Sequence, residues 1–130
     1  MLFSKKTIND KNFETMKKNN DSYILIFSSN FCPHCKTVEN FFKNFSKKEG
    51  DKYENITIFK VEGEKSPRML KQFNIRSFPT TFFVKNHNLT GVIVGADSLA
   101  SFLKELEVFA LHKKEGFFKK IKKWIERLDQ

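Results

Sequence analysis

Cysteine is scarce in this 130-residue chain: there are two, and both lie in the tetrapeptide Cys32-Pro33-His34-Cys35. That excludes a multi-disulfide framework. It also argues against a zinc site, because there is no second Cys-x-x-Cys, and only His34, His87 and His112 could complete a metal shell. No metal and no cofactor are expected. A structural role for the pair is disfavoured too, since so small a loop adds little chain-entropy stabilisation. Alanine is as rare, three residues against sixteen phenylalanines, which predicts a core built on large rings. Internal repeats and flexible linkers are absent, as expected for one compact domain.

Long apolar runs are missing. The longest, Tyr23 to Phe27, is far too short to span a bilayer. Met1-Leu2-Phe3 is followed by Ser4-Lys5-Lys6 rather than by the apolar core of a secretory signal. The chain is therefore expected in the cytoplasm or another intracellular compartment. Thiols are kept reduced there, and a Cys-x-x-Cys is more often catalytic or metal-binding than structural. Arginine is short as well: Arg68, Arg76 and Arg127 are the only ones, although the formal net charge is +9. The excess is lysine, and no aromatic-basic recognition motif accompanies it. A lysine-rich soluble surface is expected rather than a nucleic-acid partner.

What is present is well patterned. Thr7 to Asn20 predicts a short helix capped by Asn9 or Asp10, with Phe13 and Met16 facing inward. Tyr23 to Phe27 predicts a central strand covered on both faces. Pro33 suits the first position of a helix, and Val38, Phe41, Phe42 and Phe45 continue it as an apolar stripe ended by Gly50. Ile56 to Val61 predicts a second strand. Ser66-Pro67 opens a helix with Met69, Leu70 and Phe73 inside. Thr80 to Val84 and Thr90 to Val94 predict a hairpin around Asn86-His87-Asn88. A long helix follows from Asp97 or Ser98 to about Lys114, with Leu99, Phe102, Leu103, Leu106 and Phe109 on one face. The expected architecture is α/β, a mixed four- to five-stranded sheet with helices on both faces.

Three segments resemble the thioredoxin superfamily: Phe31-Cys32-Pro33-His34-Cys35-Lys36 after a buried strand, Asn74-Ile75-Arg76-Ser77-Phe78-Pro79-Thr80, and Val94-Gly95-Ala96. Their spacing is similar to that of thioredoxin, and the resemblance covers about residues 7 to 112. It implies a thioredoxin fold, with Pro79 as a cis-proline facing the dithiol. It also implies thiol-disulfide exchange with Cys32 as nucleophile and Cys35 as resolver. The departures are specific. Pro33-His34 between the cysteines resembles the periplasmic disulfide-oxidase family, and Phe31 stands where thioredoxins usually carry tryptophan. The superfamily's buried acid falls on Ile26, while its lysine partner is kept as Lys60. Without an acid beside it, Lys60 is expected either to depress a thiol pKa or to turn to solvent.

The chemistry follows from the placement. A sulfur ahead of a helix meets free N–H groups and the positive end of the dipole. His34 adds a hydrogen bond or a charge. Reduced Cys32 is then expected to ionise below a free thiol, within about 3.5–7.5. Stabilising the thiolate makes the disulfide a better oxidant, so a potential above that of ordinary thioredoxin is expected. Phe31 and Phe78 are expected to line an apolar groove for flexible protein segments, and the second partner is a reductase or an oxidase. A rival reading is a non-catalytic thioredoxin-like interaction module.

Residues 1–115 are taken as the thioredoxin-like domain and 116–130 as a C-terminal helical extension. Phe117, Ile121, Trp124, Ile125 and Leu128 form its apolar stripe, and from Lys113 onward seven basic residues face three acidic ones. Such a helix lies on an anionic membrane, binds a partner, folds back, or pairs with a second copy. A monomer or weak dimer is expected.

Overall fold

The computed structural model describes residues 1–53, 55–96 and 99–109. The C-terminal stripe from Phe117 to Leu128, His112 and the boundary between residues 115 and 116 lie outside the described residues.

Six consecutive apolar, aromatic and hydroxyl residues make β2 (Tyr23–Ser28), and every one of them is buried. Such a strand must be covered on both faces and paired on both edges. It runs parallel to β3 (Thr57–Glu62) and antiparallel to β4 (Thr80–Lys85). Next to β4 lies β5 (Asn88–Val94), and next to β3 a two-residue β1 (Leu2–Phe3), giving the order β1-β3-β2-β4-β5.

Side chains alternate across the sheet. Leu25, Phe27, Phe59 and Val61 pack with Phe13 and Met16 of α1 (Phe13–Asn19) and Met69 of α3 (Pro67–Gln72). Ile24, Ile26, Ile58 and Phe83 pack on the other face with Val38 and Phe42 of α2 (Pro33–Glu49). Phe102, Leu106 and Phe109 of α4, residues 99–109, join them there. The ring-rich core is real: Phe41, Phe42, Phe83 and Phe102 meet at centroid distances of 5.2 to 6.2 Å.

Several elements differ from expectation. The first helix begins at Phe13 rather than near Thr7, because the preceding backbone is occupied elsewhere. Ile8 donates to Lys60 O at 2.8 Å and accepts from Glu62 N at 2.9 Å, extending the sheet. Asn9 and Asn12 then close local side-chain turns instead of starting a helix. Asp10 caps a different helix: its two oxygens accept from Arg68 N and Met69 N, at 2.8 and 2.9 Å, at the start of α3. Ser66 is the residue before that helix, but its hydroxyl donates back to Glu62 O. The hairpin turn is Asn86-His87, both at positive φ (49° and 65°), so Asn88 belongs to β5. That is the conformation a two-residue turn requires. In α4, Leu99 and Leu103 are exposed, whereas Phe102, Leu106 and Phe109 face the core.

Candidate active site

The C-terminal ends of β2 and β3 and the N-terminal end of β4 meet at one edge of the sheet, since Phe27 is paired with both Val61 and Thr80. The loops leaving that edge carry the chemistry. Pro33 begins α2 without losing a hydrogen bond, which leaves Cys32 as the N-cap residue in extended conformation. Its sulfur accepts the Cys35 N–H at 3.2 Å, doing what a serine or aspartate oxygen does at ordinary helix starts. Cys32 and Cys35 are joined as a disulfide, with Cα atoms 5.3 Å apart. The two sulfurs have unequal access: Cys32 is half-buried, and Cys35 is only 1% exposed. Phe31, Pro33 and His34 surround the pair at the surface, Phe31 being 93% exposed.

The segment before β4 closes the site from the neighbouring strand. The Phe78–Pro79 peptide bond is cis, Pro79 is buried, and its carbonyl accepts from Gly95 N at 2.8 Å. Thr80 Oγ1 donates to Ser77 O at 2.8 Å, holding the bend. The Phe78 ring lies over Gly63 at the end of β3. A β-carbon at Gly63 would stand 2.7 Å from the ring and 2.9 Å from Ser28 O. Phe78 is therefore turned partly inward, while Phe31 projects into solvent; the two are not equivalent walls of one groove.

Two residues escaped the sequence reading. Glu64 tethers the loop before Cys32: its Oε1 accepts from Ser29 Oγ at 2.6 Å and from Asn30 N at 2.9 Å. These bonds, the Ser29 hydroxyl first, hold the Glu64 carboxyl below its ordinary range. The other is Glu39. Lys60 does have an acid beside it, contrary to expectation: Lys60 Nζ lies 3.2 Å from Glu39 Oε1, whose side chain is only 9% exposed. Ile26 is indeed apolar and directly opposite Lys60 in the β2–β3 register. The carboxylate comes instead from α2, one helical turn beyond Cys35. Cys35, Val38, Glu39 and Phe42 form one buried helical stripe interrupted by a charge.

Among the described residues no three His, Cys, Asp or Glu side chains are grouped as a metal site needs, and no helix is long and apolar enough to cross a membrane.

The arrangement matches known proteins closely. A family model described as Thioredoxin matches residues 4–107. Thioredoxin H-type from Brassica campestris is 27% identical over 109 residues, covering 80% of this chain and 85% of that protein. The crystal structure of reduced Schistosoma mansoni thioredoxin pre-protein is 29% identical, with a TM-score of 0.63, over 83% of this chain and 97% of that one. Oxidised mitochondrial thioredoxin 3 from Saccharomyces cerevisiae shares the fold, with a TM-score of 0.63 at 23% identity over 76% of this chain and 90% of that one. With a helix-capping Cys32–Cys35 disulfide set in that fold, this chain belongs to the thioredoxin family and is a thiol-disulfide oxidoreductase.

Proposed function

We propose that the protein exchanges disulfides with flexible protein segments, using a dithiol more oxidising than that of an ordinary thioredoxin. The observation that carries this reading is the unequal exposure of two sulfurs at the start of a 17-residue helix. Cys32, reachable and facing the helix N-terminus, is the nucleophile once reduced. Its thiolate attacks a substrate disulfide, forming a mixed disulfide and releasing one substrate thiolate. Cys35 then attacks Cys32 Sγ, closing the internal disulfide and releasing the second thiolate. The reverse sequence oxidises a substrate dithiol.

Substrate binding is assigned to two features. Phe31 offers an exposed ring beside the reacting sulfur, and the backbone of Phe78, freed by Pro79, pairs with an extended peptide. His34 stands between the cysteines at the surface, where a hydrogen bond from its ring to the Cys32 thiolate favours the reduced state. In an intracellular compartment the resting form is then the dithiol, regenerated by a reductase; with an oxidase as partner the cycle runs the other way.

Insulin reduction and a glutathione redox titration test the proposal. The wild-type chain is expected to reduce insulin and Cys32→Ser to be inactive, with a potential less negative than the roughly −270 mV of thioredoxin. A value at or below that figure defeats the oxidising claim. Equal inactivity of wild type and Cys32→Ser leaves only an interaction module.

A further inference from the structure

Lys5, Lys43, Lys47 and Lys60 meet around one concavity that the dithiol chemistry does not use. Glu39, Lys43, Ser46 and Lys47 recur at i, i+4, i+7 and i+8 on α2, so they share one helical face. That face borders a cleft of about 490 Å³, bounded on its other side by Leu2 and Phe3 of β1, the loop after it, and Lys60 of β3. The volume lies within the roughly 300–1,000 Å³ of small-molecule sites. None of the residues from Phe31 to Cys35, nor Phe78 and Pro79, lines it.

The charge of this wall is one-sided. Four lysines against one glutamate leave an excess of three positive charges. The single carboxylate is already matched, because Lys60 Nζ lies 3.2 Å from Glu39 Oε1. Among the described residues Lys5, Lys43 and Lys47 have no ion-pair partner. Lys43 is steadied by a ring rather than an acid: its Nζ sits 5.3 Å from the centroid of Phe3. Ser4 Oγ accepts from Lys6 N at 3.1 Å, which leaves its own proton to donate. A concave wall of one sign focuses the field of its charges, so it draws anions more strongly than scattered surface lysines do. A second groove along α2 gives the contrast within the same molecule. It has a similar size, about 500 Å³, yet among the described residues Lys48 is the one charged group on its wall, beside Phe41, Phe45 and Leu99.

We infer that this cleft binds a polyphosphate group, carried by a small molecule such as a nucleoside triphosphate or present as inorganic polyphosphate. The ammonium groups of Lys5, Lys43 and Lys47 meet the phosphate oxygens as point charges, and Ser4 Oγ donates to one of them. The excess charge selects for such a group, since a single carboxylate would neutralise only one of three cations. Leu2, largely exposed, and Phe3 supply an apolar patch for whatever the phosphates are attached to. The binding is noncovalent and uses none of the residues around the disulfide, so it stands whichever way the exchange runs.

Titration calorimetry and amide chemical shifts of the full chain test it, with tripolyphosphate, ATP and adenosine as probes. The buffer is free of magnesium and held at about 0.15 M ionic strength, where exposed charges more than about 8 Å apart are largely screened. Tripolyphosphate and ATP are expected to bind and to shift the amides of residues 2–7 and 39–47; adenosine is not. ATP binding more tightly than tripolyphosphate supports a nucleotide as the ligand, and equal binding supports the phosphates alone. Lys43→Gln/Lys47→Gln is expected to weaken both at least about tenfold, because each charge-assisted hydrogen bond lost is worth about that much. Lys11→Gln/Lys18→Gln, which removes two exposed lysines at α1 on the other face of the sheet, is expected to bind as wild type does. No binding of either phosphate, an equal loss in both double variants, or adenosine binding as tightly as ATP overturns the site. So does a tetraglutamate peptide that binds where the phosphates do not. If Lys43→Gln/Lys47→Gln fails to fold, unchanged affinity in Lys5→Gln overturns it equally.

Discussion

Gly63 shows how much a single missing methyl group can decide. The space its β-carbon would need is filled by the Phe78 ring at 2.7 Å and by a Ser28 carbonyl at 2.9 Å, and the carbonyl, being backbone, cannot swing away. Gly63→Ala is therefore expected to lower stability by about 1–3 kcal/mol and to push the Phe78 ring outward. Urea unfolding measures the first and insulin KM the second; a variant with the wild-type midpoint would show that the loop yields freely. At the same scale, the Cys32–Cys35 pairing and the cis bond at Pro79 were legible from the segments around them, which resemble a known family's. Glu39 was not. An acid in an apolar stripe reads as a break in the pattern until a lysine from a distant strand is brought to 3.2 Å. Pairing across twenty-one residues has no periodicity to betray it.

Among the elements, strands were read best where burial was complete. The unbroken run of β2 has one structural solution, and it is found at the sheet centre. The two-residue β1 has no signal of its own; it exists because Leu2 N reaches Ile56 O and Ser4 N reaches Ile58 O on the β3 edge that Ile8 pairs further along. The start of the first helix was misread for a related reason. Asn9, Asp10 and Asn12 are all good caps, and nothing local says that Asp10 serves a helix 58 residues away. That long-range cap predicts its own test. Asp10→Ala is expected to cost about 0.5–2 kcal/mol, the usual range for losing an N-cap, with hydrogen-exchange protection lost first in α3. Protection lost instead in α1 would return the cap to the expected helix.

For the whole molecule, acid is the informative stress. Glu62 is held below the ordinary carboxylate range chiefly by the Thr7 hydroxyl, and Glu64 chiefly by the Ser29 hydroxyl. A lowered folded-state pKa favours the native form above the unfolded value and loses that benefit as pH falls through the folded one. Stability is thus expected to hold from neutrality to about pH 5 and to decline below the ordinary glutamate value of about 4.3, the more so as the positive charge grows. Glu64→Gln, which keeps an acceptor oxygen for Ser29 and Asn30, is expected to flatten that decline in thermal melts across pH. An identical acid limb would assign the effect to other carboxylates. The α/β class and the mixed sheet were readable at this scale because strand and helix patterns alternate in the right order; the side on which charges meet was not.

The placement of Glu39 on α2 also has a mechanical side. Nucleophile, resolver and carboxylate ride on one continuous helix, from the cap at Cys32 to the second turn. Any rigid tilt or slide of that helix over the sheet carries all three together, so their mutual distances are insulated from breathing of the strands below.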